Sequence, residues 1–296
     1  MPEARHHSEG ERLVLRLSPG PSPKLRWGER VPLRATTNGG VLLDLSEVEF
    51  AEPTLALRLA ASEAVHEAEG APFGIVPPND RKVRNYLGRA GLAKHMGLDE
   101  QPRAEDVLMP VTRIAEPREV EPAAERLAQA AAKLPGGLAP TNHALVLALS
   151  ELCANACSHG CNDHGTFVLA QRFGSSRLVL AVGDLGIGIP VHLGEALHAA
   201  NDEVQGRLIA RALERGVSGV NGKAEGHGNG EVRGNGLPKI LDTLRELGMP
   251  AAEFSVWSGM GRVSVRMRPQ PQTRRRVGDV GSHTLGTWIE VVLAST

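Results

Sequence analysis

The stretch Thr141–Gly160, TNHALVLALSELCANACSHG, decides how the rest of the chain is read. Plotted at about 100° per residue, the α-helical step, Glu151, Asn155, Ser158 and His159 fall on one narrow face, with the small residues Ala144 and Ala148 beside them. Val146, Leu149, Cys153, Ala156 and Cys157 fall on the opposite side. A carboxylate, an amide and an imidazole on the edge of an otherwise apolar helix are expected to face a cavity or solvent, because burying them unpaired costs several kcal/mol. The two alanines leave room for something to lie against that edge.

Composition narrows the classes. A chain of 296 residues holds one large domain or two of ordinary size. Its 41% apolar content is that of a globular protein, and 3% aromatic content means cores built from Leu, Val, Ile and Ala. The same scarcity of aromatics argues against a base-stacking nucleic-acid surface. A net charge of −1 gives no general pull toward nucleic acid or anionic membranes, and basic residues gather only locally, as at Arg274–Arg276. No apolar run approaches the roughly 20 residues of a membrane span, and MPEARHHSEGER has no signal-peptide apolar region. The expectation is a cytoplasmic protein without direct nucleic-acid or membrane contact. Cys153, Cys157 and Cys161 stand four apart. With no CxxC pair or fourth ligand nearby, core packing in a reduced compartment is preferred to a metal or redox site.

Ahead of the opening stretch, LVLRL from Leu13 and GGVLLD ending at Asp44 read as strands. PTLALRLAASEAVHEA from Pro53 reads as a helix with Leu55, Leu59 and Ala60 on one face, stopped by Gly70. Pro72–Val76 is a further strand, and Asn79 or Asp80 is the N-cap of the next helix, RKVRNYLGRAGLAKHM. This alternation indicates a small α/β layer domain. GLDEQPRAED reads as a linker, followed by the strand VLMPVTRI and the helix EPREVEPAAERLAQAAAKL.

After the opening helix come the strands GTFVLAQRF and RLVLAVGD, the second running into Asp184-Leu-Gly-Ile-Gly-Ile-Pro190. An acidic residue at a strand end followed by alternating glycines places a carboxylate at a pocket mouth with backbone free to approach a ligand. GEALHAANDEVQGRLIARALERG reads as one helix with Arg207, Arg211 and Arg215 on a solvated face. The run from Gly216 to Gly236 carries eight glycines and ends as Gly234-Asn-Gly236-Leu, a glycine turn entering a helix, whose free N–H groups suit a phosphate. No GxxxxGK[ST] is present. PQPQTRRRVGDVGSH reads as a basic loop before the last strand.

Two resemblances follow. The DLSxVxF run from Asp44 to Phe50 and the RxYLxxxGL run from Arg84 to Leu92 are similar to the STAS domain of anti-sigma-factor antagonists. Phosphorylatable members carry an Asp-Ser-Ser/Thr-Gly turn, and here the turn is Glu52-Pro53-Thr54-Leu55, so the resemblance implies a docking or dimerising unit, with Thr54 the one remaining hydroxyl. The order ExxxN on a helix, DxGxG after a strand, and a glycine-rich lid closing on GxGL resembles the N-box and two glycine boxes of the GHKL ATPases, which include gyrase, histidine kinases, mismatch-repair ATPases and anti-sigma serine kinases. GHGNG at Gly226–Gly230 offers a competing second glycine box.

The resemblances imply an α/β chain of two domains: a STAS-like α/β layer at 1–100 and a GHKL (Bergerat) α/β sandwich at 105–296. They imply ATP and Mg²⁺ as cofactors. Asn155 would bind the metal, Asp184 would accept from the adenine amino group, and Gly186 and Gly188 would pass close to the base. Gly234 and Gly236 would offer N–H groups to the phosphates, Glu151 would act as base, and His159 would end the N-box helix in the pocket. Residues 99–140 contain no histidine and one helix, which disfavours a histidine kinase. The expected function is an ATP-binding regulator of the anti-sigma serine/threonine kinase type acting on a STAS-type or sigma-factor partner, with homodimerisation open. The alternatives are a non-catalytic nucleotide switch and an ATPase of a stress or defence module.

Overall fold

The computed structural model describes residues 7–9, 12–17, 31, 40–99, 106–134, 143–159, 164–197, 204–215, 217, 236–247, 249, 251–267 and 274–295. Its first unit is a four-stranded sheet in the order β1-β2-β3-β4, made of β1 (His7–Glu9), β2 (Arg12–Arg16), β3 (Val41–Asp44) and β4 (Phe73–Val76). The β2–β3 and β3–β4 pairs are parallel, and α1 (Pro53–Ala68) makes the crossover between β3 and β4. Pro53 opens α1 at a position whose N–H would have no helical partner in any case. α2 (Arg81–Leu87) is capped by Asp80, whose Oδ1 accepts from the N–H groups of Lys82 and Val83 at 2.7 and 3.0 Å.

The second unit is a five-stranded antiparallel sheet in the order β5-β6-β7-β9-β8. Its strands are β5 (Val107–Ile114), β6 (Thr166–Phe173), β7 (Arg177–Asp184), β8 (Ala251–Met267) and β9 (Arg274–Ala294). α3 (Val120–Ala132), α4 (His143–His159) and α7 (Gly236–Glu246) join one core with one face of this sheet, including Val168, Leu180, Phe254 and Val291. The residues that alternate with these, Phe167, Leu169, Ala181, Trp257 and Trp288, belong to a second core shared with α1 and the N-terminal sheet. The sheet is therefore buried on both faces, which is why β6 and β7 read as continuous apolar runs rather than alternating ones.

α1 is the middle layer. It touches β4 of the small sheet and β5, β6 and β7 of the large one, and every residue from Pro53 to Ser62 is buried. A helix apolar on all sides is a fully enclosed one, so the single face expected from Leu55, Leu59 and Ala60 understates its burial. Leu55, Leu57 and Leu59 are wholly buried, each contributing about 1.5–3 kcal/mol on transfer from water. The expected linker ends in a fixed contact: Arg89 donates through Nε and Nη2 to the two carboxylate oxygens of Asp106, just before β5. Residues 100–105, where the two expected domains divide, lie outside the described residues, but the second core runs across that division. Thr54, the remaining hydroxyl of the STAS-like turn, is buried in the first turn of α1.

Two sequence expectations are corrected. The single helix expected over 194–216 is two, α5 (Ile189–Leu197) and α6 (Gln205–Ala212), because Val204 adopts ψ 114° ahead of α6. The basic segment expected as a loop forms part of β9, which begins at Arg274 and pairs with β8 from Arg266 back to Gly261. β8 also doubles back at Gly259-Met260. Ser255 and Ser264 hydroxyls lie 2.8 Å apart, Arg266 donates to Glu253 at 2.8 Å, and the Arg262 guanidinium lies 5.0 Å from the Trp257 ring centre. Gly259, at φ 57°, supplies the left-handed turn. Among the described residues no helix is long and apolar enough to cross a membrane.

Candidate functional site

β7 ends at Asp184, and the chain there leaves the sheet through Leu185-Gly186-Ile187-Gly188 into α5. The Asp184 carboxylate is 5% exposed, and its Oδ1 accepts the Gly186 N–H at 2.8 Å. The Thr287 backbone N–H on β9 also donates to it. Burial outweighs both donors and pushes the carboxyl up to about 7. The group is thus a dry hydrogen-bond acceptor with lone pairs beyond those its two backbone donors take. In the loop and helix that follow it, Ile187 and Val191 are 54% and 45% exposed, so the segment leaving the buried acceptor carries apolar side chains at its surface. That pairing suits a flat, apolar ring bearing an amino group.

The loop is held from β8, two strands away in the same sheet. Ser258 Oγ accepts the Ile189 N–H at 2.9 Å and donates to the Gly286 carbonyl at 2.9 Å, with Thr287 Oγ1 3.2 Å away. Gly188 turns at φ 83°, and a Cβ there would come within 2.7 Å of Ser258 Oγ. Gln205, at the start of α6, accepts the Met260 N–H at 2.7 Å, so the β8 turn anchors both α5 and α6. Ser258 is fully buried. Ser258→Ala is expected to strand two backbone groups and lower stability by about 1–3 kcal/mol, read as a shift in the urea midpoint; an unchanged midpoint would show that the bridge contributes nothing.

α4 lies against this end of β7. Cys157 on α4 hydrogen-bonds with the Thr166 side chain and is close enough to Asp184 for the carboxylate to raise its thiol pKa, adding to the larger effect of burial. Thr166 pairs directly with Asp184 across β6 and β7. Glu151 and Asn155 are half-buried, one turn apart on α4, and Ser158 is exposed. Ala144 is exposed and Ala148 is buried in the first core, so only Ala144 leaves open space on that edge. Cys153 is core, its thiol pushed up to about 12 by burial. Among the described residues no group of three His, Cys, Asp or Glu could hold a metal ion.

The structure brings together Asp184, Gly186 and Gly188, and sets the helix of Glu151 and Asn155 beside them. Gly236 is the first residue of α7, which packs against α4. The His159 side chain, Gly234 and the Gly226–Gly230 segment lie outside the described residues. Arg207, Arg211 and Arg215 are exposed, and Arg215 pairs with Asp242 on α7 at 2.6 Å, as a solvated face would. Sequence reading missed Ser258, Gly286 and Thr287. Their signal was glycine inside otherwise β-like runs, at Gly259, Gly261 and Gly286, which marks close backbone approach.

Comparison with known proteins bears on the same part of the chain. Residues 114–229 match the family model described as the histidine kinase-like ATPase domain. The match runs from the end of β5 through α3, α4, β6, β7, α5 and α6. Among solved structures, the B-subunit of the DNA gyrase from Myxococcus xanthus is similar at 15% identity with a TM-score of 0.23, over 51% of this chain and 38% of that one. The chain thus spans well under half the length of that subunit. No curated protein matches the chain. From the polar edge of α4 to the glycine loop after Asp184, the chain carries a histidine kinase-like ATPase domain, at residues 114–229.

Proposed function

We propose that the chain binds ATP with magnesium and uses the occupied state to regulate a protein partner. The observation that carries this reading is the buried Asp184 carboxylate, held by Gly186 and Thr287 N–H groups and followed in the chain by exposed Ile187 and Val191. In this reading Asp184 accepts from the adenine amino group, while Gly186 and Gly188 let the backbone pass close to the ring. The half-buried Asn155 amide fits a magnesium that takes one protein oxygen and completes its shell with phosphates and water. Magnesium supplies neutralisation of phosphate charge. Gly236 offers a backbone N–H at the start of α7, with Gly234 ahead of it, and His159 closes the α4 edge.

Glu151 is one helical turn from Asn155 and serves as the base for a hydroxyl, which makes the protein a serine/threonine kinase of the anti-sigma type. Its acceptor is a separate STAS-type protein, and a sigma factor is the alternative partner. The chain's own STAS-like turn offers no acceptor, since Pro53 has no hydroxyl and Thr54 is buried. That same observation favours a second reading, in which occupancy alone switches partner affinity.

Calorimetry with ATP and Mg²⁺ tests the shared part: binding by the wild type and its loss in Asn155→Ala are expected. Labelled ATP with candidate STAS proteins separates the two readings. Transfer that disappears in Glu151→Gln supports the kinase, and partner binding that survives Glu151→Gln without transfer supports the switch. A wild type that binds no ATP would overturn both.

A further inference from the structure

Arg58 stands in the middle of α1, within a run of leucines and alanines, and is 2% exposed. A leucine there would fill an apolar layer without the cost of desolvating a guanidinium. The side chain instead reaches out of the N-terminal unit to β9. Its guanidinium carbon lies 4.7 Å from the ring centre of Trp288, and Nη2 donates to Thr284 Oγ1 at 3.3 Å.

Both contacts fall on the short segment that builds the wall behind Asp184. Between Thr284 and Trp288 lie Gly286, whose carbonyl accepts from Ser258, and Thr287, whose N–H reaches the Asp184 carboxylate. Trp288 Nε1 donates to the Leu285 carbonyl at 2.8 Å, closing the ring back onto the same segment. The Trp288 ring also presses on Gly183, where a Cβ would meet its Cε3 at 2.2 Å, one residue before Asp184. Arg58 therefore grips both ends of the segment whose middle holds the buried acceptor. The grip exists only while α1 is seated on the large sheet.

We propose that Arg58 is a positioning residue through which the N-terminal unit sets the nucleotide affinity of the ATPase domain. The proposal rests on the nucleotide-binding reading of Asp184. It assigns the STAS-like unit a role inside the chain: its helix braces the adenine end of the site from the opposite face of the sheet, and any change in its seating alters Gly286 and Thr287.

The test uses the full chain, with ATP affinity from calorimetry and ligand-free thermal midpoints measured side by side. Arg58→Leu is expected to unfold cooperatively, since the apolar layer is kept, yet to bind ATP about tenfold more weakly, within the usual range of coupling between sites. Arg58→Lys, which keeps charge without the planar stack, is expected to fall between the two. Thr284→Val is expected to weaken ATP binding about threefold, and the double variant to be no weaker than Arg58→Leu alone, as for two members of one network. A folded Arg58→Leu protein with ATP affinity within twofold of wild type overturns the proposal. Should Arg58→Leu not fold, Thr284→Val decides in the same way, because it deletes only the hydroxyl contact. Failure of the wild type to bind ATP brings down the nucleotide reading and this proposal together; normal wild-type binding with unaltered variants brings down this proposal alone.

Discussion

Asp184→Asn is expected to weaken ATP binding about a hundredfold near neutral pH while making the ligand-free protein more stable there. The loss follows from replacing a carboxyl that is about half ionised at neutral pH, and held ionised once the ligand donates to it, by an amide that offers one oxygen and a donor where the ligand also donates. A lost charged hydrogen bond plus a mismatched donor is worth about 3 kcal/mol. The gain follows from the proton balance. Burial raises the Asp184 carboxyl from 3.8 in the unfolded chain to about 7 in the fold. The folded state therefore holds the proton more tightly, and stability falls as pH rises from about 4 to about 7. Above that window the full cost of the buried charge is present, of the order of 4 kcal/mol at most. Asparagine does not ionise, so the variant lacks this slope. Urea midpoints of both proteins across pH 4–9, with calorimetry at neutral pH, check the pair of expectations. Equal ATP affinity, or parallel pH profiles, would remove Asp184 from the role given to it.

Gly286→Ala carries the second large effect. Gly286 sits at φ 74°, and a Cβ there would come 1.9 Å from the Asp184 carbonyl oxygen and 2.7 Å from its carbon. Both atoms belong to the backbone of Asp184 on β7, a strand paired on both sides, so neither yields as a flexible side chain would. The substitution is expected to cost about 3–5 kcal/mol, in the range reserved for overpacking joined to backbone strain, and to abolish ATP binding. Gly174 is the control. It has φ 61° with nothing within 4 Å of a Cβ, so its alanine variant bears only the conformational cost of about 1 kcal/mol. Similar urea midpoints for the two variants would show that close approach at Gly286 is not the cause.

Much of the local structure is legible in the residues. PTLALRLAASEAVHEA and α1 coincide, Gly70 follows at φ 66°, and Asp80 caps α2 as its position before a helix requires. Asp184 and its glycines are visible because a strand end, a carboxylate and two glycines lie next to one another in the chain. What holds them is not visible. Ser258 lies 69 positions from Ile189 and 28 from Gly286, and Ser258 reaches both only because β8 and β9 pair beside β7 and β8 reverses at Gly259. The basic run before the last strand was misread for a related reason. Charge suggests a solvated loop, yet the first part of β9, from Arg274 to Gly278, is exposed and is paired with β8 on one side only. Such an open strand edge also carries arginines, since charged side chains discourage pairing with another chain. The enclosure of α1 was missed because a helix read for one apolar stripe hides how apolar its other sides are.

That enclosure orders events during synthesis. Arg58 and Thr284 are 226 positions apart. Most of the cover over α1 comes from β6 and β7. At a ribosomal rate of ~5–20 residues per second, α1 emerges on the order of five to twenty seconds before that cover, and on the order of ten to fifty before Thr284. Throughout that interval one whole side of the helix, leucines included, has only water or another protein to face. The nascent chain is therefore exposed to aggregation, and dependent on chaperones, while α1 waits for β6 and β7.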